Sequence, residues 1–183
     1  MVNAKISVAT YSLRNSLKDP AIGFKGIADF LIKHSVQNVE INNMFVKPET
    51  IHETAKIFTD QGIKPVLLTC DGNNFFQKKE GDRKKQFDWM KVWLDAAHKI
   101  SVPMVRANMG HGFGFLKKTD TVENIVGTFR PILEYAEQLG ISFTFENHGG
   151  KSSDVDFQMA VKKAFPSKKM EIGRASCRER VVI

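Results

Sequence analysis

The chain has 183 residues, 42% hydrophobic and 26% charged, the balance of a globular domain with enough apolar mass for a core. No run approaches the roughly 18 to 20 apolar residues of a membrane span, and Met1 to Lys5 lacks the apolar stretch of a signal peptide; a cytoplasmic protein without a membrane partner is expected. The formal net charge of +7 is carried by dispersed lysine pairs such as Lys78–Lys79, Lys84–Lys85 and Lys162–Lys163, so no nucleic-acid partner is expected, and Cys70 and Cys177 alone build neither a disulfide framework nor a cysteine zinc site.

Along the chain, short apolar or β-branched runs alternate with stretches of helical period, the pattern of a parallel sheet covered by helices. The first strand is predicted over 5–10 and the second over 38–41. Pro48 suits the first turn of a helix whose inner stripe is Ile51, Ala55 and Phe58, closed by Gly62. A third strand follows over 64–69. The next helical stretch is rich in aromatics, with Phe75 and Phe76 ahead of it and Phe87, Trp89 and Trp93 along it, read as core before substrate groove. The fourth strand spans 104–107. Asp120 and Glu123 have capping-box spacing at the start of a helix carrying Val122, Ile125, Phe129, Leu133 and Ala136, and Gly140 suits its C-cap. The fifth strand is 142–146, and a sixth should begin near 168–172.

Gln61-Gly62-Ile63, Ile100-Ser101-Val102 and Leu139-Gly140-Ile141 each join a helix to the next strand at intervals of 39 residues, an internal echo of successive βα units. Longer polar segments follow the strands, at 42–47, 70–79, 108–118 and 147–153. In parallel α/β folds the loops after the carboxyl ends of strands build the active site.

The last of those segments is the most informative. Strand five runs directly into Glu146-Asn147-His148-Gly149-Gly150. A carboxylate there can hold a hard divalent cation or move a proton, and glycines let the backbone pass close to a ligand. An ordinary polar strand end followed by a turn is the plainer alternative. This segment resembles the Glu-Asn-His-Gly-Gly motif of the xylose-isomerase-like sugar-phosphate isomerases and epimerases. Three shorter stretches are similar to that family as well: Ser7 to Arg14 to its first strand, Val39-Glu40-Ile41 to its second, and Val105-Arg106 followed by Gly110 to its fourth.

The resemblance covers residues 1–171 and implies an α/β fold, a partial (β/α)8 TIM barrel with parallel strands one to five and the start of a sixth. It implies that Glu146 is a metal ligand and acid/base group for Mn2+ or Mg2+, and that three further ligands come from strands six to eight, which this chain lacks. The metal should therefore bind weakly or not at all here. Its activity would be proton transfer in a small carbohydrate, through an enediolate. A dehydratase of cyclic polyols would open with the same proton abstraction.

Tyr11 and Arg106 are candidate hydroxyl and phosphate contacts, Glu40 either touches substrate or pairs with Arg106, and His148 is a substrate contact within the motif. His111, in Gly110-His111-Gly112-Phe113-Gly114, either reaches a sugar hydroxyl or is a surface histidine. Those glycines do not form a dinucleotide fingerprint, because the sixth position is Phe115 and the segment follows strand four. His34, His52 and His98 read as helix-surface or packing residues, and Asp71 beside Gly72, Asn73 and Asn74 as turn chemistry.

From Ile172 the text changes, and Ile172 to Val181 resembles the conceptual translation of a common sequencing adaptor. Residues 172–183 are accordingly expected to be a non-native tail behind an incomplete barrel over 1–171. Two other readings stand beside the isomerase. One is an abasic-site endonuclease of the same fold, disfavoured because Cys70 and Asp71 stand where a histidine belongs. The other is an incomplete gene product without activity of its own, prone to self-association through open barrel edges.

Overall fold

The computed structural model of the chain describes residues 6–110, 117, 119–146, 148–165, 167 and 169–173. Strands and helices alternate: β1 (Val8–Ala9), α1 (Arg14–Leu17), α2 (Gly23–Lys33), β2 (Asn38–Asn42), α3 (Ile51–Thr59), β3 (Lys64–Cys70), α4 (Glu80–Lys99), β4 (Met104–Asn108), α5 (Val122–Gln138), β5 (Ser142–Glu146), α6 (Val155–Ala164) and β6 (Met170–Gly173). Strand order in the sheet follows chain order, and β1 with β2, β2 with β3 and β5 with β6 run parallel. A parallel neighbour needs a crossover, which the intervening helices supply.

The sequence echo has a physical basis. After α3 the Ile63 amide donates to the Phe58 carbonyl and the Gly62 amide to Thr59; after α4 Val102 donates to Ala97 and Ser101 to His98; after α5 Ile141 donates to Ala136 and Gly140 to Glu137. These are Schellman closures, in which the residue after the helix takes a left-handed backbone. Gly62, Gly140 and the non-glycine Ser101 sit there, at φ 77°, 76° and 56°. Each closure is followed by an apolar residue, Ile63, Val102 or Ile141, that is buried at the mouth of the next strand. A fourth closure, Ser35-Val36 after α2, has the same bonds.

One compact unit comprises residues up to 71 with 92–105. Its core is Val39, Ile41 and Leu68 of the strands with Ile27, Ala28 and Leu31 of α2 and Ile51, Ala55 and Phe58 of α3, all buried. The α3 residues recur at the spacing that puts one helical face against the sheet.

The second unit comprises 72–91 with residues from 106 on. Two adjacent rows of α5, Ile125, Phe129, Ile132, Leu133 and Ala136, are buried. Phe129 is the hub of an aromatic cluster, with ring centroids 4.4 Å from Phe145, 4.7 Å from Phe143, 5.4 Å from Phe165 and 5.6 Å from Phe75. These spacings favour tilted and edge-to-face pairs.

Local expectations needed three corrections. Strand one is only Val8–Ala9, followed by a 3-10 turn over Thr10–Leu13. At Thr10 the hydroxyl, not the main chain, accepts from the Asn42 amide at 3.0 Å, which ends the ladder there. Pro48 precedes α3 by three residues, within a turn, and does not open the helix. The cap of α5 is Thr121, whose extended backbone lets its hydroxyl accept from the Asn124 amide at 3.2 Å. Asp120 accepts instead from the Lys117 amide at 3.0 Å.

Candidate active site

Alternation along β5 sends Phe143 and Phe145 towards Phe129 of α5 and turns Thr144 and Glu146 to the opposite face. On β4, Arg106 and Asn108 share one face for the same reason. Glu146 is buried, 4% exposed, and its Oε2 lies 2.6 Å from Arg106 Nη2. This is a short, charge-assisted contact between side chains that are 17% and 5% exposed. His148 Nδ1 lies 3.4 Å from the other carboxylate oxygen, Oε1.

Around this trio runs a chain of polar contacts. Arg106 Nη1 donates to Asn108 Oδ1 at 3.2 Å, and the Asn108 carbonyl accepts from Asn73 Nδ2 at 2.5 Å. The turn that carries His148 is fixed by Ser152, whose hydroxyl accepts from the His148 amide at 2.9 Å and donates to the Gly149 carbonyl at 2.7 Å. Gly149 and Gly150 both have positive φ, 82° and 56°, so the paired glycines of the motif answer a backbone demand that other residues meet only with strain. Asp154 then caps α6 by accepting from the Phe157 amide at 3.1 Å. Its carboxyl is held below the usual carboxylate range by the Lys151 ammonium and by the Phe157 amide.

In the first unit the strand ends carry another polar cluster. Asn42 Nδ2 donates to Asp71 Oδ2 at 2.8 Å, while the Asn43 side chain bonds both the carbonyl and the amide of Asp71 at 3.0 and 2.8 Å. Asp71 therefore has its turn role, and Cys70 before it is buried. Glu40 accepts from the Ser7 hydroxyl at 2.5 Å, while Arg106 pairs with Glu146. Tyr11 is 44% exposed in the turn after β1, its ring 6.2 Å from that of Phe45, with the Arg14 guanidinium 5.0 Å from its centroid.

Of the remaining sequence candidates, Phe75, Phe76 and Trp93 are buried, and Phe87 packs at 6.1 Å on Tyr135. His34, His52 and His98 are exposed. His111, its loop from 111 to 116, Asn147 and residues 174–183 lie outside the described residues. The sequence reading missed Asn73, Asn108 and Ser152 as parts of the site. Asn108 was accessible in principle, because it lies two residues beyond Arg106 and so on the same face.

A divalent ion at Glu146 would require several oxygen or imidazole ligands converging on one point. Among the described residues no group of three or more His, Cys, Asp and Glu side chains does so, and the Glu146 carboxylate already has a cation, Arg106, against it. These residues by themselves do not fit the ion.

Parallel strands in chain order joined by helices, with polar groups gathered at their carboxyl ends, are the architecture of the α/β class, whether barrel or open sheet. The family profile for the xylose isomerase-like TIM barrel matches residues 21–169, and the chain belongs to that family. No curated protein sequence matches it significantly. Among solved structures it is similar to the D-psicose 3-epimerase of Clostridium cellulolyticum, with TM-score 0.70 and 17% identity over 93% of this chain and 63% of the epimerase. It is also similar to a sugar phosphate isomerase/epimerase of Parabacteroides distasonis, with TM-score 0.72 and 13% identity over 95% and 68% of the two chains. The 3-keto-D-glucoside 4-epimerase of E. coli matches at TM-score 0.71 and 13% identity over 94% and 68%. Identities this low establish the fold, that of part of a (β/α)8 barrel, and the chain spans about 63% of the length of the psicose epimerase. Among the described residues no helix is long and apolar enough to cross a membrane.

Proposed function

We propose that the chain carries the carboxylate-bearing part of the site of a cytoplasmic sugar or sugar-phosphate isomerase or epimerase, and that Glu146 is the group that moves the carbon-bound proton. The observation that supports this reading is the placement of Glu146: buried at the end of β5, on the face turned away from α5, between Arg106 and His148.

In such a reaction the carboxylate takes the proton from the carbon next to the carbonyl. The bonding pair shifts towards the carbonyl oxygen, and an enediolate forms. Returning a proton to the former carbonyl carbon, while the hydroxyl proton of the deprotonated carbon passes to the former carbonyl oxygen, isomerises the sugar; epimerisation instead needs a proton delivered to the other face of the same carbon by a second acid, on the side away from Glu146. Negative charge develops on oxygen in the enediolate, and cationic or N–H donors stabilise it most where water is excluded. Arg106 and His148 are such donors within reach of Glu146 and are proposed substrate contacts; Tyr11, Glu40 and His111 are each proposed, separately, to contact substrate. Mn2+ or Mg2+ is proposed for the complete site, with Glu146 as one ligand and the rest from outside the described residues.

The 183-residue chain by itself is proposed to turn over no sugar, and residues 172–183 to be foreign to the gene; genomic DNA read past the codon for Glu171 tests the second point directly. The first test of function uses the protein from the complete reading frame, incubated in D2O with ketoses and their phosphates and followed by proton NMR. Deuterium should replace the proton beside the carbonyl of one substrate, and Glu146→Gln should abolish the exchange. Exchange that survives Glu146→Gln, or none with any sugar of the panel, would overturn the reading.

A further inference from the structure

We infer that Arg106 occupies the cation position of Glu146 and so decides whether this site takes up a divalent ion. The inference rests on the reading of Glu146 as the site carboxylate and adds a residue that sets its cation requirement.

A buried carboxylate needs its charge compensated, because the cost of leaving water is offset only by a close cation and hydrogen bonds. Two kinds of cation can do this. A divalent ion demands several oxygen ligands in constrained geometry. A guanidinium demands none, since it brings charge and directed N–H donors together. Glu146 has the second kind: Arg106 Nη2 sits 2.6 Å from Oε2. The guanidinium is braced in that position and is not a loose surface arm. Its Nη1 is bonded to Asn108 Oδ1 at 3.2 Å, and the Asn108 main chain is held in turn by the buried Asn73 side chain at 2.5 Å. Strand alternation puts Arg106 and Asn108 on one face of β4, so the brace is built into the strand itself. A divalent ion reaching Oε2 must displace this guanidinium, and the two cations compete for one carboxylate.

The test is Mn2+ binding to the 183-residue chain, read from the electron paramagnetic resonance of free Mn2+ and from water-proton relaxation. Wild type should bind weakly. Arg106→Met should bind more tightly than wild type, because the competitor is gone, and Arg106→Lys should fall between the two. Glu146→Gln combined with Arg106→Met should lose the gain. Circular dichroism melting checks the fold of each variant; should Arg106→Met fail to fold, Arg106→Lys, which keeps a charge but loses the planar fork, carries the comparison. Equal affinity in wild type and the folded Arg106 variants overturns the inference, as does a gain that persists in the double variant. Either result leaves the D2O exchange of the complete protein untouched, so failure here and failure of the proposed function are separable.

Discussion

Replacing Phe129 by alanine tests whether the aromatic cluster holds the strand that carries Glu146. Phe129 is fully buried, and four rings lie within 5.6 Å of its centroid, two of them from β5. Phe→Ala in a core costs about 3–5 kcal/mol through lost transfer energy and a residual cavity. Edge-to-face partners add about 0.5–1.5 kcal/mol per pair in double-mutant cycles, but rings sharing one neighbour do not add independently. The expected loss is therefore about 4–5 kcal/mol, a large part of the roughly 5–15 kcal/mol by which domains are stable. Urea unfolding followed by circular dichroism measures it as a lower midpoint at unchanged slope. Phe30→Ala is the control: Phe30 is 46% exposed, and its loss should stay within about 0.5 kcal/mol. A Phe129→Ala loss below about 2 kcal/mol would show that the cluster is not the anchor of β5.

Two further outcomes follow from local chemistry. Ser101, at φ 56°, has a conformation that costs an L-residue about 1–2 kcal/mol, partly offset by the entropy glycine would lose, about 0.5–1 kcal/mol; Ser101→Gly should raise the thermal midpoint, and a lower one refutes the Schellman assignment. Asp154 has a depressed carboxyl in the folded chain, so its stabilisation is fully present above the ordinary value of 3.8 and is lost as pH falls through the lower folded value. Asp154→Asn should melt earlier than wild type near neutral pH, with the gap narrowing as the pH is lowered below the ordinary carboxyl value and through the lower folded one. A gap that does not narrow would mean that the charge of Asp154 contributes nothing.

Strands two to five were legible to within one residue because their apolar runs end at turn residues and their helices end in a repeated closure, and both signals are local. The first strand was overestimated because an edge strand extends only as far as its neighbour bonds it, and Thr10 diverts the Asn42 amide. The cap of α5 was misassigned by one residue: Asp120 and Thr121 are both good caps, and only backbone angles select between adjacent candidates.

The site divides in the same way. Glu146, His148 and the glycines after them were readable as chemistry at a strand end, because type and order are properties of the chain. Which cation faces Glu146 was not readable, since Glu40 and Arg106 offered a plausible pair of their own. Folding bonded Glu40 to Ser7 and set Arg106 against Glu146. Partner choice between charges distant in sequence depends on which strands lie side by side and in what register. Periodicity carries the element and its inner face; adjacency is a non-local outcome of packing, and it alone decided the environment of the carboxylate.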